Sequence, residues 1–340
     1  MPSFRKRLLV FFCLITLSCQ TNPSTIKVEK ALYYWKTKFE ISKIENDFLK
    51  DHKVSKIYIR FFDVDFDFRV SKAIPKGKLI FSAEPKFNLI IPTVFITNRV
   101  FENTNFENVA KLVDQIHSSI KNIASKNKID FKEIQIDCDW TIGTKEKYFH
   151  FLNILKSKGI KTSATIRLHQ IKYFEKTGVP PVDEGALMLY NTGDWKNAKT
   201  KNSLFDPETI FGYLDNLSSY PLFLNIAFPI YQQVLVYRSG KFFVFLKEFN
   251  WYQLLKIGSF KKISNFQIIC TENIFLNGIS FRKGDIFKLE KGEFEELNLV
   301  KSEVFDKLHQ NQTSIILFHL DEKSIKQFTQ FQIDKIYSQN

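Results

Sequence analysis

Residues 133–140 read EIQIDCDW, and this short stretch decides the fold. Side chains alternate between the two faces of a strand, so one face is apolar and the other carries Gln135, Asp137 and Asp139. In a closed barrel of parallel strands, one face meets the helix layer and the other points into the barrel. Two inward carboxylates are costly to bury unless they are paired or protonated, which indicates a functional site at the end of this strand.

Seven further apolar runs have the length and composition of buried strands. They are residues 31–35, 56–64, 89–97, 162–170, 186–191, 221–228 and 314–320. Segments with helical periodicity lie between several of them, at 105–126, 144–158, 207–217 and 322–336. Strand–helix alternation implies parallel pairing with right-handed crossovers. We therefore predict an α/β fold, a (β/α)8 TIM-type barrel; an open doubly wound sheet is disfavoured because no glycine-rich phosphate loop follows an early strand.

One segment, residues 234–300, interrupts the alternation with hairpin patterns, including a turn at Ser239-Gly240. It predicts a small antiparallel β insertion between strands 7 and 8. The expected organisation is therefore a signal peptide, a lipidated tether, a barrel in two segments and the insertion, at residues 1–18, 19–29, 30–233 with 301–340, and 234–300.

The N-terminus has the features of a targeting segment. Arg-Lys-Arg at 5–7 precedes an apolar run at 8–17, and Ser18 precedes Cys19. A small residue before Cys after an apolar run resembles the lipobox of bacterial lipoproteins, although the residues at 16 and 17 depart from the usual pattern. The resemblance implies lipidation of Cys19 and a membrane-anchored protein of the bacterial envelope, for which we expect the periplasmic side. A plain secretory signal or an uncleaved anchor are the alternatives.

The chain is basic, with 49 Lys and Arg against 36 Asp and Glu and a formal net charge of +13. The lysines are interleaved with acids, and there is no arginine-rich run or nucleic-acid-binding motif, so nucleic acid is not an expected partner. The charge suits an anionic membrane or an acidic polysaccharide, and a solvated lysine-rich surface is the simpler interpretation. Cys138 and Cys270 lie in apolar runs and are expected to be free buried thiols. No residue spacing predicts a metal ion or another cofactor.

Polar residues gather at the same end of several predicted strands, where barrel active sites form. The candidate catalytic residues are Asp139, Asp137 and His169. The candidate sugar-binding residues are Arg60, Arg167, Tyr190, Asn191, Trp140, Trp195, Asn225 and Asp321. Two interpretations remain open: a ligand-binding or catalytic cleft, or a buried network in which Arg60 and Arg167 only neutralise the aspartates.

The fourth and sixth strands resemble those of the chitinase-like family-eighteen glycoside hydrolases, which carry D-x-x-D-x-D-x-E and Met-x-Tyr-Asp. Here Asp137 and Asp139 match the two later aspartates, and Met188 and Tyr190 match the sixth strand. Ile134, Thr141 and Asn191 stand at the positions of the first Asp, the proton-donating Glu and the last Asp. A bacterial family of glycosyl-hydrolase-like barrel proteins is also similar, through its Asp-x-Asp strand and a Met-containing sixth strand followed by Gly, here Gly193.

The resemblance implies a carbohydrate partner, but Thr141 changes what chemistry is available. Hydrolysis requires an acid that protonates the leaving oxygen, and threonine does not supply one near neutral pH. Two hypotheses follow. The first is an envelope glycoside hydrolase that uses Asp139, Asp137 and His169; the second is a non-catalytic lipoprotein that binds glycan or supports an envelope complex.

Overall fold

Eight parallel strands form a closed barrel in the computed structural model, which describes residues 26–246 and 250–339. The first strand in chain order pairs with both the last and the second, which closes the ring. The (β/α)8 prediction is therefore confirmed. In chain order, β1 to β8 are Lys27–Tyr34, Lys56–Asp67, Leu89–Ile96, Glu133–Asp137, Lys161–Arg167, Glu184–Met188, Leu224–Pro229 and Gln312–Phe318.

Helices follow most of the barrel strands, and their apolar residues join the barrel core. The longest, Val109–Lys126, buries the stripe that its sequence periodicity predicts. There are two exceptions: β2 continues into a hairpin with Lys72–Lys76, and β7 leads into antiparallel strands. The other helices are Lys43–Asp51, Asn98–Asn103, Lys145–Lys156, Leu168–Lys172, Phe174–Thr177, Pro207–Phe211, Trp251–Leu254, Phe294–Lys307, Glu322–Ile325 and Gln330–Ile336, with 3-10 turns at Phe106–Asn108 and Leu217–Ser219.

The polar face of β4 points into the barrel. Tyr33 Oη donates a hydrogen bond of 2.8 Å to Gln135 Oε1. Tyr33 lies on β1, which is not a neighbour of β4 in the sheet, so this contact crosses the barrel interior. The side chain of Asp137 also points into the barrel, where Thr165 of β5 donates a hydrogen bond to it.

A small antiparallel region follows β7. Its five-stranded sheet has the order Lys241–Leu246, Gln232–Arg238, Ile286–Lys291, Gln267–Cys270 and Phe260–Ser264, beside a short hairpin of Ile274–Leu276 and Ile279–Phe281. Ser239 and Gly240 both have positive φ, as a two-residue hairpin turn requires. The predicted antiparallel insertion is present, and it has its own apolar cluster around Trp251 and Phe287.

Several elements differ from their predicted lengths. β4 ends at Asp137 and β5 at Arg167, earlier than predicted. After Arg167 the chain turns into helix Leu168–Lys172, because Gln170 Oε1 accepts a hydrogen bond of 2.8 Å from Arg167 N and caps the helix. The predicted last helix is two helices, with a new N-cap at Thr329. Helix Phe294–Lys307 begins in the range predicted for the insertion, residues 234–300, but its apolar residues pack into the barrel core.

The predicted signal peptide and Cys19 lie outside the described residues. Of the predicted tether, residues 27–29 already belong to β1. Within the described part of the chain, no helix combines the length and apolar character needed to cross a membrane. Cys138 and Cys270 are buried free thiols.

Candidate functional site

A cavity of about 610 Å³ opens at the carboxyl ends of the barrel strands, and we call it the mouth cavity. It is lined by residues that follow β4, β5 and β6 and by two residues of the antiparallel insertion. Seven residues that the sequence singled out line it: Asp139, Trp140, Arg167, His169, Tyr190, Asn191 and Trp195.

An ion pair between Asp139 and Arg167 forms one wall of the mouth cavity. Arg167 Nη2 donates to Asp139 Oδ2 at 3.1 Å, and Arg167 Nε donates to Asp139 Oδ1. Although burial alone would lower it, the pairing with Asp139 raises the pKa of Arg167 above its ordinary value. Asp139 lies past the end of β4 and its side chain is 49% exposed, so the pair faces the cavity. The prediction that both aspartates lie inside the barrel therefore holds for Asp137 but not for Asp139.

Asp137 lies below the mouth cavity, inside the barrel, and is only 5% exposed. Thr165 Oγ1 donates to Asp137 Oδ1 at 2.7 Å. Burial raises the pKa of Asp137 to about 6, with Arg167 opposing the shift and Asp139 adding to it. The carboxyl group of Asp137 therefore binds a proton two pH units above the range of an ordinary aspartate.

Tyr190 lines the mouth cavity and is 3% exposed. Burial raises the pKa of its phenol well above the ordinary value, so the hydroxyl is protonated at neutral pH. Among the described residues, none forms a hydrogen bond with Tyr190 Oη or with the buried Thr192 Oγ1. Buried polar groups nearly always have a partner, so two unsatisfied hydroxyls on residues that line one cavity are an exception that indicates a ligand site.

His169 and Asn191 lie at the rim of the mouth cavity. His169 is in helix Leu168–Lys172 and not on a strand, and burial lowers the pKa of its imidazole, which is therefore neutral at pH 7. Asn191 has a φ of 57°, a left-handed conformation that asparagine tolerates better than most residues. Its backbone N–H donates to Leu204 O at 2.8 Å, which holds the loop after β6 in place.

Trp140 is mainly a core residue. It is 1% exposed, its ring stacks on Tyr148 with 5.3 Å between centroids, and its Nε1 donates to Thr177 O at 3.2 Å. The indole therefore anchors helix Lys145–Lys156 against β4, and offers the cavity little of its surface.

Trp195 is half-buried at the mouth cavity, where the insertion holds it. Its ring packs against Phe242 and Phe245, with 4.6 and 5.0 Å between centroids. Tyr237 Oη of the insertion donates to Trp195 O at 2.8 Å. An aromatic side chain held at a cavity wall can pack against the apolar face of a sugar ring.

A buried ion pair ties the loop that carries Trp195 to the insertion. Lys288 and Glu290 are almost fully buried, with 2.8 Å between Nζ and Oε1. Glu290 Oε2 accepts a hydrogen bond of 2.5 Å from Ser203, and Lys288 Nζ donates to Thr200 O. The insertion therefore fixes one wall of the mouth cavity.

Three predicted site residues lie away from the mouth cavity. Arg60 pairs with Asp63, with 2.6 Å between Nε and Oδ1, and not with Asp137 or Asp139. Asp321 caps helix Glu322–Ile325, where it accepts a hydrogen bond of 2.9 Å from Lys323 N. Asn225 is the second residue of β7 and therefore lies at the opposite end of the barrel, where it donates to Glu184 Oε2 at 3.0 Å.

The structure adds cavity residues that the sequence analysis did not single out. Ser203 and Tyr213 come from the segment after β6, while Gln233 and Phe245 come from the insertion. The hairpin pattern predicted the strands that carry Gln233 and Phe245, but no local pattern shows which barrel loop an insertion will contact.

Thr141 is exposed at the rim of the mouth cavity, at the position where the resemblance places a glutamate. Its backbone N–H donates to Thr144 Oγ1 at 3.0 Å, and Thr144 Oγ1 donates to Asn98 Oδ1 at 2.6 Å. Of the described residues that line the cavity, Asp139 is the only acid.

The barrel has the fold of chitinase-like glycoside hydrolases, and solved structures of that class superpose on most of the chain. The Bacillus cereus spore cortex-lytic enzyme SleL has a TM-score of 0.52 at 14% identity, over 92% of this chain and 75% of that one. A chitinase from Chromobacterium violaceum has a TM-score of 0.51 at 11% identity, over 88% and 98%. Catalytic domain 2 of the Ostrinia furnacalis Group II chitinase has a TM-score of 0.50 at 10% identity, over 87% and 91%.

No family model and no curated protein matches this sequence. At identities of 10 to 14%, the similarity of the solved structures establishes the fold alone. The distant resemblance stated for β4 and β6 is confirmed at that level.

Proposed function

We propose that this chain is an envelope lipoprotein that binds a polysaccharide at the mouth cavity without hydrolysing it. The observation that carries the binding is Tyr190, a residue of the cavity lining whose buried hydroxyl has no partner among the described residues. A sugar hydroxyl or acetamido group would supply that partner, and the Asp139–Arg167 pair beside it presents further donors and acceptors.

The solved structures of the same fold indicate the class of polysaccharide to test. The Ostrinia furnacalis domain holds penta-N-acetylchitooctaose, and the Chromobacterium violaceum protein is a chitinase. Polymers that contain N-acetylated amino sugars are therefore the ligands that we propose for this chain.

The absence of hydrolysis is proposed because, among the described residues that line the cavity, none is an acid free to protonate a leaving oxygen. Thr141 cannot do so, and both carboxylate oxygens of Asp139 accept hydrogen bonds from Arg167. The other carboxyl group nearby, Asp137, is hydrogen-bonded to Thr165 below the cavity wall.

One observation favours hydrolysis as a second candidate function. The pKa of Asp137 is raised to about 6, which is where a carboxyl group can hold a proton and release it near neutral pH. A substrate that displaces Arg167 from Asp139 would open a path from the cavity to Asp137. In that case Asp137 acts as the acid and Asp139 as the base or electrostatic stabiliser.

The cellular location is part of the proposal. Residues 5–7 are basic, residues 8–17 are apolar, and Cys19 follows Ser18, which supports export and lipidation of Cys19. Mass spectrometry of the mature N-terminus from bacterial membranes would show a diacylated Cys19, and Cys19→Ala would abolish that modification. A mature protein that begins, without a lipid, at residue 20 would contradict the proposed anchor. A protein that retains Met1 would contradict it as well.

The binding experiment is a calorimetric titration that measures the affinity of the chain for N-acetylglucosamine oligosaccharides of increasing length and for solubilised cell-wall glycan. We expect saturable binding by the wild type and weaker binding by Tyr190→Phe. Tyr252→Phe is the matched control, because Tyr252 is 65% exposed in the insertion and away from the cavity. If none of these glycans binds, the proposed function is wrong.

A reducing-end assay on the same glycans separates the two candidates. Binding without release of reducing ends supports the non-catalytic protein. Release that disappears in Asp139→Asn, with unchanged thermal unfolding, would establish hydrolysis instead.

A further inference from the structure

A second cavity, of about 650 Å³, lies among the amino ends of the barrel strands, and we call it the amino-end cavity. It is at the face opposite the mouth cavity, because all eight strands are parallel. Its lining includes six lysines and three glutamates: Lys27, Lys30, Lys53, Lys56, Lys132, Lys161, Glu29, Glu133 and Glu184.

The inner charges of the amino-end cavity are paired with one another. Lys161 Nζ lies 2.5 Å from Glu184 and 3.3 Å from Glu133, and Lys56 Nζ lies 3.3 Å from Glu29. These groups join strands around the ring and need no ligand.

Three outer lysines differ from these. Lys27, Lys53 and Lys132 are exposed at the edge of the amino-end cavity. Within the described part of the chain, no acid or hydrogen-bond acceptor contacts their Nζ atoms. Lys53 also borders an adjoining cavity whose lining includes Lys50 and Lys86 with one acid, Glu84, so the excess of positive charge continues across this end of the barrel.

We propose that this end of the barrel docks on a bilayer surface that contains anionic lipid headgroups. The geometry of the chain supports it. Ile26 leads directly into β1 at this end, and Cys19 is only seven residues before Ile26. Seven extended residues span at most roughly 25 Å, so a lipidated Cys19 keeps this end close to the bilayer. The inference thus rests on the anchor in the proposed function.

Docking in this orientation has a functional consequence. Unpaired lysines within a Debye length of an anionic surface are attracted to it, by on the order of fivefold in affinity for each lysine. With the amino ends of the strands on the bilayer, the mouth cavity faces away from the lipid. A polysaccharide outside the membrane then reaches Tyr190 and Trp195 without obstruction.

The test compares vesicle flotation of the full chain on phosphatidylcholine alone and on phosphatidylcholine with one-third phosphatidylglycerol. The variant is the triple substitution Lys27→Glu, Lys53→Glu and Lys132→Glu. The control is Lys261→Glu, Lys262→Glu and Lys283→Glu, which changes the same charge on the insertion, where these lysines are also exposed. Residues 5–17 and any lipid on Cys19 are common to all three proteins, and circular dichroism verifies that each one folds.

We expect the preference for phosphatidylglycerol vesicles to fall at least tenfold in the amino-end variant and by less than twofold in the control. In the wild type, 0.5 M salt should remove the same preference. The proposal is overturned if the wild type shows no preference, or if both variants lose it equally. It is also overturned if inorganic phosphate raises the melting temperature of the wild type but not of the amino-end variant, while vesicle charge has no effect, because the cavity is then a small-anion site.

The same proteins keep this inference separate from the proposed function. Glycan titration of the amino-end variant should match the wild type, since none of its substitutions is at the mouth cavity. If the amino-end variant loses the vesicle preference and still binds glycan, the substitutions affect the docking surface alone. Absence of glycan binding with a normal vesicle preference would reject the proposed function and leave the docking surface standing.

Discussion

The two ends of this barrel use polar side chains in opposite ways. At the amino ends of the strands, Ser314 Oγ donates to Glu29 at 2.9 Å, Ser314 N donates to Asn225 at 2.8 Å, and Asn225 donates to Glu184 at 3.0 Å. Lys161 then connects Glu184 to Glu133. This chain of contacts runs across β1, β8, β7, β6, β5 and β4. The inner polar groups at that end therefore hold neighbouring strands together.

Among the described residues, the mouth has no comparable chain of contacts from strand to strand. Asp139 and Arg167 pair at the rim, Asp137 has one hydrogen bond from Thr165, and the hydroxyls of Tyr190 and Thr192 have no partner among the described residues. Unpaired buried polar groups reduce stability, so the two unpaired hydroxyls on residues that line the mouth cavity indicate a ligand and not a structural role. Polar residues inside a barrel therefore indicate function only once their hydrogen-bond and ion-pair partners are known.

The largest expected effect concerns Asp137, the mouth group whose burial is least compensated. Its pKa is raised to about 6, so the folded chain binds this proton more tightly than the unfolded chain, whose aspartates titrate at about 4. The contribution of Asp137 to the free energy of unfolding is therefore highest below pH 4 and is lost as pH rises through 6. The difference between a pKa of about 6 in the folded chain and about 4 in the unfolded chain corresponds to about 3 kcal/mol in the free energy of unfolding.

Asp137→Asn keeps an acceptor for Thr165 and removes the buried charge. We expect this variant to be more stable than the wild type by about 3 kcal/mol at pH 7 and equal to it at pH 4. Urea unfolding from pH 4 to 8 measures both, with Asp130→Asn, an exposed aspartate, as control. A destabilised Asp137→Asn at pH 7 would show instead that the carboxylate stabilises the folded chain.

An intermediate effect is expected at the amino end of the barrel. Lys161→Met leaves Glu133 and Glu184 without their cation, and we expect the free energy of unfolding to fall by about 2 kcal/mol, because the side chain of Glu133 is largely buried. Glycan affinity should not change. Lys132→Met removes a lysine whose Nζ has no partner among the described residues, and the same urea unfolding of this variant controls for the loss of positive charge. Equal effects of the two substitutions would remove the distinction between inner and outer lysines.

The smallest expected effect separates function from stability at the mouth. Tyr190→Phe removes a buried hydroxyl that has no partner among the described residues, so we expect the free energy of unfolding to rise by about 1 kcal/mol. Glycan affinity should fall about tenfold, or about 1.4 kcal/mol, for the loss of one hydrogen bond. The control is Tyr33→Phe, which breaks the hydrogen bond to Gln135 inside the barrel. That variant should lose about 1 kcal/mol of stability and no glycan affinity, and the reverse pattern would contradict our interpretation of both tyrosines.

Much of the fold follows from local patterns. Short apolar runs with alternating faces predicted all eight strands, and helical periodicity predicted the helix Val109–Lys126. The ends of elements were less predictable. β5 ends at Arg167 because Gln170 caps a new helix there, a side-chain contact that periodicity does not show.

The candidate site was only partly predictable, for a reason that Asn191 and Asn225 illustrate. Both are asparagines in or beside predicted strands, but Asn191 follows β6 at the mouth and Asn225 begins β7 at the amino end. The end of the barrel at which each asparagine lies depends on where its strand starts. The apolar pattern predicts that start only to within a few residues. Arg60 shows a related limit, since Asp63, three residues away, takes the ion pair expected for Asp137 or Asp139.

The sequence by itself determined that this chain forms a barrel with an antiparallel insertion, and that acidic residues end its fourth strand. Those properties depend on neighbours along the chain, which alternate and repeat visibly. The tertiary structure decided which carboxyl group is buried, which is paired, and that Gln233 and Phe245 of the insertion meet Trp195 at the mouth cavity. Partners and burial arise from long-range packing, where residues far apart in sequence exclude water from one another.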